Sequence, residues 1–257
     1  MTDNKTQVVV SMTSFPAAIG YAEQAVQYLL NGSVLPDKLV LYLTLSQFEG
    51  QEQLLDGVRQ LANKSPIFEV RDYPTDIRSY RKLVPALHDF PEAIIVTVDD
   101  DIAYHRHLLR LHAQYPDAVL AHRAKRIKLG APYRQWKKYR WYNFMFKRIH
   151  RGFLNLQTGV AGVLYPPHAL RTDMLDVDLF TRLAPTVDDI WFWAACVAQG
   201  TPVIPVPFGR NKPRGLGKPK ELSLKTRNFK GQTDRNLAAL NTILEHFPEI
   251  RKKVEEG

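Results

Sequence analysis

Two acidic clusters set the chemistry open to this chain. The first, Thr97-Val98-Asp99-Asp100-Asp101-Ile102, places three consecutive carboxylates directly after the apolar run AIIVTV. Adjacent carboxylates repel one another, so at neutral pH the cluster demands a compensating cation. A hard divalent ion such as Mg²⁺ or Mn²⁺ takes oxygen ligands and commonly bridges protein carboxylates to phosphates. The competing reading, one Asp capping a helix and the others solvated, explains a single acid after a strand better than three. The second cluster is Thr186-Val187-Asp188-Asp189-Ile190-Trp191-Phe192-Trp193. Thr186 fits an N-cap, and acids suit the first turn of a helix. Two acids at the mouth of an apolar helix also make a general base, because burial beside aromatic walls raises a carboxylate pKa. On chemistry alone these two readings stand even.

The elements that must position these acids alternate along the chain. A β-branched run at 7–12 is followed by a helical pattern over 17–30, which Asn31-Gly32 ends. Strands are expected at 38–43 and 67–70, with a helix at 52–61 between them. Residues 79–87 read as helix, Pro85 marking an early end or a kink. The apolar run at 93–98 has the composition of a strand buried on both faces. This alternation predicts an α/β fold with a mostly parallel, doubly wound sheet flanked by helices. In such a sheet, ligands bind at the carboxyl ends of the strands, where the first acidic cluster lies. Beyond residue 105 the expectations are a short helix at 108–114, a longer amphipathic helix at 134–148 and a strand at 160–165. An apolar helix at 187–198, a short strand at 203–206, a loop at 209–231 and a helix at 234–246 complete the series. No repeat or linker divides the chain, so one domain is expected, with residues 7–105 and 106–257 as its two halves.

The chain has 257 residues and a net charge of +9, carried unevenly. Residues 118–172 hold twelve Lys or Arg and no acid; without them the remainder is slightly acidic. A second basic segment, 209–230, holds eight Lys or Arg against Glu221 alone. Such a field attracts phosphates, polyanions or anionic lipid headgroups. Tyr133, Trp136, Tyr139, Trp141, Tyr142, Phe144 and Phe146 interleave the first segment, and three uses stay open for them: core, stacking surface or interfacial membrane anchor. The single cysteine, Cys196, excludes an internal disulfide framework and suits a reducing compartment. No secretory signal is expected at the N-terminus, and the apolar runs fall short of the roughly 18 residues a membrane span requires. A soluble or peripheral protein is expected.

The order VSMTSFP, LPDKLVLYL, DIRSYRKL, IIVTVDDDIAY, TGVAGVLYPP and TVDDIWFW resembles the GT-A glycosyltransferases, nearest to family-2-like enzymes of bacterial capsule, lipopolysaccharide and other surface-glycan synthesis. The likeness covers about residues 7–206. It implies a GT-A fold with an acceptor-side C-terminal elaboration. Asp99 and Asp101 stand at the ends of the family's D-x-D motif, which implies a divalent metal, Mn²⁺ or Mg²⁺, on the diphosphate of a nucleotide-sugar. Asp100 would lie near the ribose or donor sugar. By the same likeness Ser11, Thr13 and Phe15 face the nucleoside, Asp72 accepts from a uracil ring, and Arg78, Arg81 and Lys82 bind base or phosphate. Asp189 matches the acid that deprotonates the acceptor hydroxyl in inverting members, with Asp188 replacing the family's Glu. Thr158, Gly159, Gly162 and Val163 would line the floor where donor and acceptor meet. Trp191 and Trp193 would stack on a sugar, against the commoner fate of core aromatics.

The resemblance implies transfer from a nucleotide-sugar, a UDP-sugar for preference, to a glycan or lipid-linked acceptor at the cytoplasmic membrane face. The processive Gln-x-x-Arg-Trp motif is missing from the sequence, which implies single-sugar transfer. Two other readings stand beside it. A sugar-phosphate nucleotidyltransferase would want a Gly-rich, basic phosphate loop near residue 15. A nucleic-acid-binding protein would use the charge and the aromatics but leave both acidic clusters unexplained.

Overall fold

The computed structural model describes residues 6–32, 34–103, 115–207, 213–219, 221 and 234–256. The strands are β1 (Val8–Thr13), β2 (Lys38–Leu43), β3 (Phe68–Asp72), β4 (Ile94–Thr97), β5 (Ile102–Ala103), β6 (Val119–Ala121), β7 (Ala124–Arg126), β8 (Lys137–Lys138), β9 (Asn155–Gln157), β10 (Val163–Tyr165), β11 (Val203–Pro205) and β12 (Arg214–Gly215). The helices are α1 (Ile19–Leu30), α2 (Asp56–Lys64), α3 (Val84–Asp89), α4 (Trp141–Met145), α5 (Val177–Leu183), α6 (Asp188–Gln199), α7 (Arg235–His246) and α8 (Pro248–Glu256).

Seven strands form the central sheet in the order β11-β6-β10-β4-β1-β2-β3. Only β10 runs against its neighbours; the other pairings are parallel. The strands are apolar on both faces because helices cover both. Val8, Val10 and Met12 of β1 pack with Ile19, Ala22 and Val26 of α1. Val9, on the opposite face, joins Ile95, Tyr80 and the aromatic residues of α6. Helix α6 is buried from Ile190 to Val197 and is screened from solvent by α7 and α8. Its end is capped twice: Gly200 takes the left-handed conformation at φ 91°, and the Lys253 ammonium donates to the carbonyls of Val197 and Ala198. Two small sheets, β8-β7-β9 and β12-β5, flank the main one.

Several elements depart from expectation. The amphipathic helix over 134–148 does not form. Trp136 is buried and its indole N–H donates to the Ala131 carbonyl, while Lys137 and Lys138 pair with β7 and the Tyr139 hydroxyl donates to Asn155. These tertiary contacts override the helical period, leaving only the short α4. Pro85 opens α3 in its first turn rather than ending a helix, since its missing N–H has no partner to lose there. The strand expected from 160 begins at Val163, because Ala161 and Gly162 both take positive φ, 87° and 90°. The helix expected at 52–61 is a 3₁₀ turn (Glu52–Leu55) followed by α2. The expected helix at 108–114 lies outside the described residues, as does most of 209–231.

Candidate active site

The first acidic cluster leaves β4 at the carboxyl end of the sheet. Val98 still donates to the Ser11 carbonyl at 3.0 Å, so the chain is held until the acids begin. Asp99 then faces Lys82, whose ammonium lies 3.4 Å from its Oδ1. Asp100 is buried and accepts from the Ser14 hydroxyl at 2.6 Å and from Lys218 Nζ at 2.7 Å. The same ammonium lies 3.0 Å from Asp101 Oδ2. Burial raises the Asp100 pKa, with Lys218 and Ser14 pulling against it. Lys218 is brought here by backbone pairing: β12 adds antiparallel to β5, and Leu216 N–H donates to the Asp101 carbonyl at 2.8 Å.

The second cluster meets the first through Lys82. Its buried ammonium also lies 3.1 Å from Asp188 Oδ2. Burial opposes that charge, but Asp188, Asp99 and Asp189 outweigh it and hold the Lys82 pKa well above the ordinary lysine range. Asp189 accepts the Gly159 N–H at 2.9 Å. Burial, together with the charges of Asp188 and Asp99, lifts its pKa to about 7 against the opposing pull of Lys82 and Gly159. Neither acid caps α6; the N-cap is Val187, not Thr186, and both acids lie in the first turn. A carboxylate poised near neutrality suits a general base. Gly159 sits where the groups converge: a methyl there would lie 2.5 Å from Lys82 Nζ, 3.2 Å from Asp189 Oδ1 and 3.6 Å from Asp99 Oδ1.

Asp99, Asp100, Asp101, Lys82, Gly159, Asp188 and Asp189 are thus gathered in one cluster, with the Phe15 ring 6.0 Å from Lys218 Nζ. Other expected site residues do different work. Ser11 is fully buried within β1. Arg81 is buried and donates to Thr13 Oγ at 2.7 Å, to the Ser14 carbonyl at 2.8 Å and to the Thr44 hydroxyl. It therefore braces the turn after β1 rather than offering its guanidinium to a phosphate. Thr13 also donates to the Tyr42 carbonyl, so its hydroxyl is engaged on both sides. Asp72 is exposed at the end of β3 and accepts the Leu45 N–H at 2.9 Å. Arg78 is exposed at φ 54°, its N–H held by Asp76. Gly162 closes a turn on the Gly159 carbonyl, Thr158 donates to the Arg123 carbonyl, and Val163 is buried in β10 opposite Thr97. Trp191 and Trp193 are core residues: both are fully buried, donating to the carbonyls of Met174 and Phe153. The sequence reading missed Ser14 and Lys218; Ser14 lay inside the quoted VSMTSFP run, whereas Lys218 carried no signal beyond its basic surroundings.

Asp99 and Asp101 offer the hard oxygen donors that Mg²⁺ and Mn²⁺ take, and the two lysine ammonium groups stand in as cations on the same carboxylates. The donor chemistry therefore fits a divalent ion held chiefly by these two residues. Among the described residues no three His, Cys, Asp or Glu side chains converge as a protein-only ligand set. Further ligands would be other oxygens, such as water or phosphate.

The mixed α/β sheet with one reversed strand beside β4, and acids at its carboxyl end, has the GT-A type of architecture. The mannosyltransferase PcManGT from Pyrobaculum calidifontis, solved with GDP-Man and Mn²⁺, superposes with a TM-score of 0.52 at 13% identity, covering 99% of this chain and 75% of that one. TarS 1-349 of S. aureus in complex with UDP superposes with a TM-score of 0.50 at 18% identity, covering 79% of this chain and 58% of that one. No family model and no curated protein matches the sequence itself.

Proposed function

We propose that this chain transfers a single sugar from a nucleotide-sugar, a UDP-sugar for preference, to a glycan or lipid-linked acceptor with inversion. One observation carries this reading: the Lys82 ammonium links Asp99 to Asp188, so the donor-side and acceptor-side acids share one buried cation. Asp189 takes the proton from the acceptor hydroxyl, and that oxygen attacks the anomeric carbon as the bond to the nucleotide diphosphate breaks. Gly159, lacking a side chain, lets the Lys82 ammonium and the Asp189 carboxylate close in on its backbone together. Asp99 and Asp101 would hold the divalent ion, which when bound neutralises charge on the departing diphosphate as a Lewis acid. Residues 7–105 serve the donor and 106–257 the acceptor, in a role that fits bacterial surface-glycan synthesis at the cytoplasmic face of the membrane. The solved relatives in fold, one holding GDP-Man with Mn²⁺ and one UDP, support a nucleotide-linked donor.

The test is a panel of nucleotide-sugars screened for Mn²⁺-dependent hydrolysis and transfer, with the anomeric configuration of the product read by NMR. One donor should respond to metal and lose activity with chelator. Full activity of the Asp99→Ala, Asp101→Ala double variant in metal-free buffer would sink the proposal.

A further inference from the structure

The aromatic residues interleaved in the basic segment divide into two sets. Trp136 is core, and Tyr133, Tyr139 and Phe144 are half-buried. Trp141, Tyr142, Met145 and Phe146 stand outward, 67%, 39%, 57% and 60% exposed. Their spacing over α4 and the residue after it puts them on one contiguous helical face. The turn is built, not loose: Asn143 Oδ1 accepts the Arg140 N–H at 2.8 Å, and the Asn143 carbonyl accepts the Arg148 N–H at 2.7 Å. Lys137, Lys138, Arg140, Lys147 and Arg148 surround it, all exposed and none in an ion pair among the described residues. In the adjoining ladder Lys137 lies opposite Arg126, like charges that repel unless an anion covers them, while Lys125, opposite Lys138, is buried and donates to the Tyr133 carbonyl.

We propose that this surface docks on an anionic lipid bilayer. Trp141, Tyr142, Met145 and Phe146 enter the headgroup boundary while the surrounding cations pair with lipid phosphates. A soluble polyanion would satisfy the cations but give Met145 and Phe146 no apolar partner. A second copy of this face would set cation against cation, since a two-fold contact is self-complementary. The surface is independent of the proposed reaction, although β8 belongs to the small sheet whose strand β9 leads into Gly159.

The test uses the full chain with phosphatidylcholine vesicles, with and without phosphatidylglycerol, read by co-sedimentation and tryptophan emission. Trp136, Trp191 and Trp193 are buried, so a blue shift reports Trp141. Binding and a blue shift are expected only with phosphatidylglycerol. Trp141→Ala with Phe146→Ala should abolish binding, and Lys137→Gln with Lys138→Gln should weaken it on the order of 25-fold. Melting temperatures of both double variants should match the parent, because all four side chains are exposed. Failure to sediment with anionic vesicles overturns the proposal. So does unchanged vesicle binding by the Trp141→Ala, Phe146→Ala variant, or an oligonucleotide binding at about 0.15 M salt through the same residues.

Discussion

The Gly159 N–H donates to Asp189 Oδ1 at 2.9 Å, joining the strained turn before β10 to the first turn of α6. The bond orients the carboxylate, and the missing side chain lets the Lys82 ammonium approach the same turn. Gly159→Ala would place a methyl 2.5 Å from Lys82 Nζ. The ammonium is the end of a flexible chain, but moving it loosens its contacts with both Asp99 and Asp188. We expect a folded protein by circular dichroism whose kcat/KM for transfer falls about 100-fold, as misplacing reacting groups does.

The pKa of about 7 at Asp189 predicts two pH dependences of opposite sense. As the proposed base it would have to be ionised, so kcat/KM should rise with pH through about 7, and Asp189→Asn should remove that limb with a loss of roughly 10²–10⁴ in rate. Stability runs the other way. The folded state keeps this proton where an unfolded aspartate has released it, so Asp189 costs stability progressively as pH rises from 3.8 to about 7. Thermal melts should therefore show Asp189→Asn above the parent at pH 8, with the gap closing toward pH 4. An equal gap at both pH values would contradict the assignment.

Lys218 satisfies Asp100 and Asp101 at 2.7 and 3.0 Å, and the proposed divalent ion would share the Asp101 carboxylate with it. Lys218→Met removes the competing charge. Calorimetric titration of the nucleotide-free protein with Mn²⁺ should show tighter binding in this variant, by about tenfold, the equivalent of about 1.4 kcal/mol. Weaker or unchanged binding would mean that Lys218 and the ion do not contend for the same oxygens.

Trp191 distinguishes core from sugar platform. Trp191→Phe deletes the N–H donated to the Met174 carbonyl and should destabilise the fold by about 1–3 kcal/mol in urea melts. KM for donor and acceptor should not change in the folded protein. A raised KM with unaltered stability would return Trp191 to the binding surface.

Much of this architecture was legible in local sequence. The strand 38–43 and the buried strand before the acids are where their apolar runs end, since that pattern depends only on neighbouring residues and a two-sided burial. The two acid clusters were likewise visible, because three carboxylates after a strand have few bland explanations. The fate of Trp191 and Trp193 was not: apolar residues on every side of α6 suit total burial and a binding wall alike. Ser11 neighbours the expected nucleoside turn, yet it is fully buried, because β1 is covered on both faces.

By itself the sequence determined the alternation of strands and helices, the acids at the end of β4 and the start of α6, and the unbalanced basic middle. Tertiary structure alone decided which cation meets which acid. Lys218 reaches Asp100 across 118 residues only because β12 pairs with β5, and Lys82 binds both acid clusters only because the sheet brings β4 and α6 together. It also split the basic aromatic segment into a buried Trp136 and an exposed Trp141. The physical reason is range: backbone periodicity is written by nearest neighbours, whereas an ion pair or a buried ring is chosen by whatever distant chain the fold lays beside it.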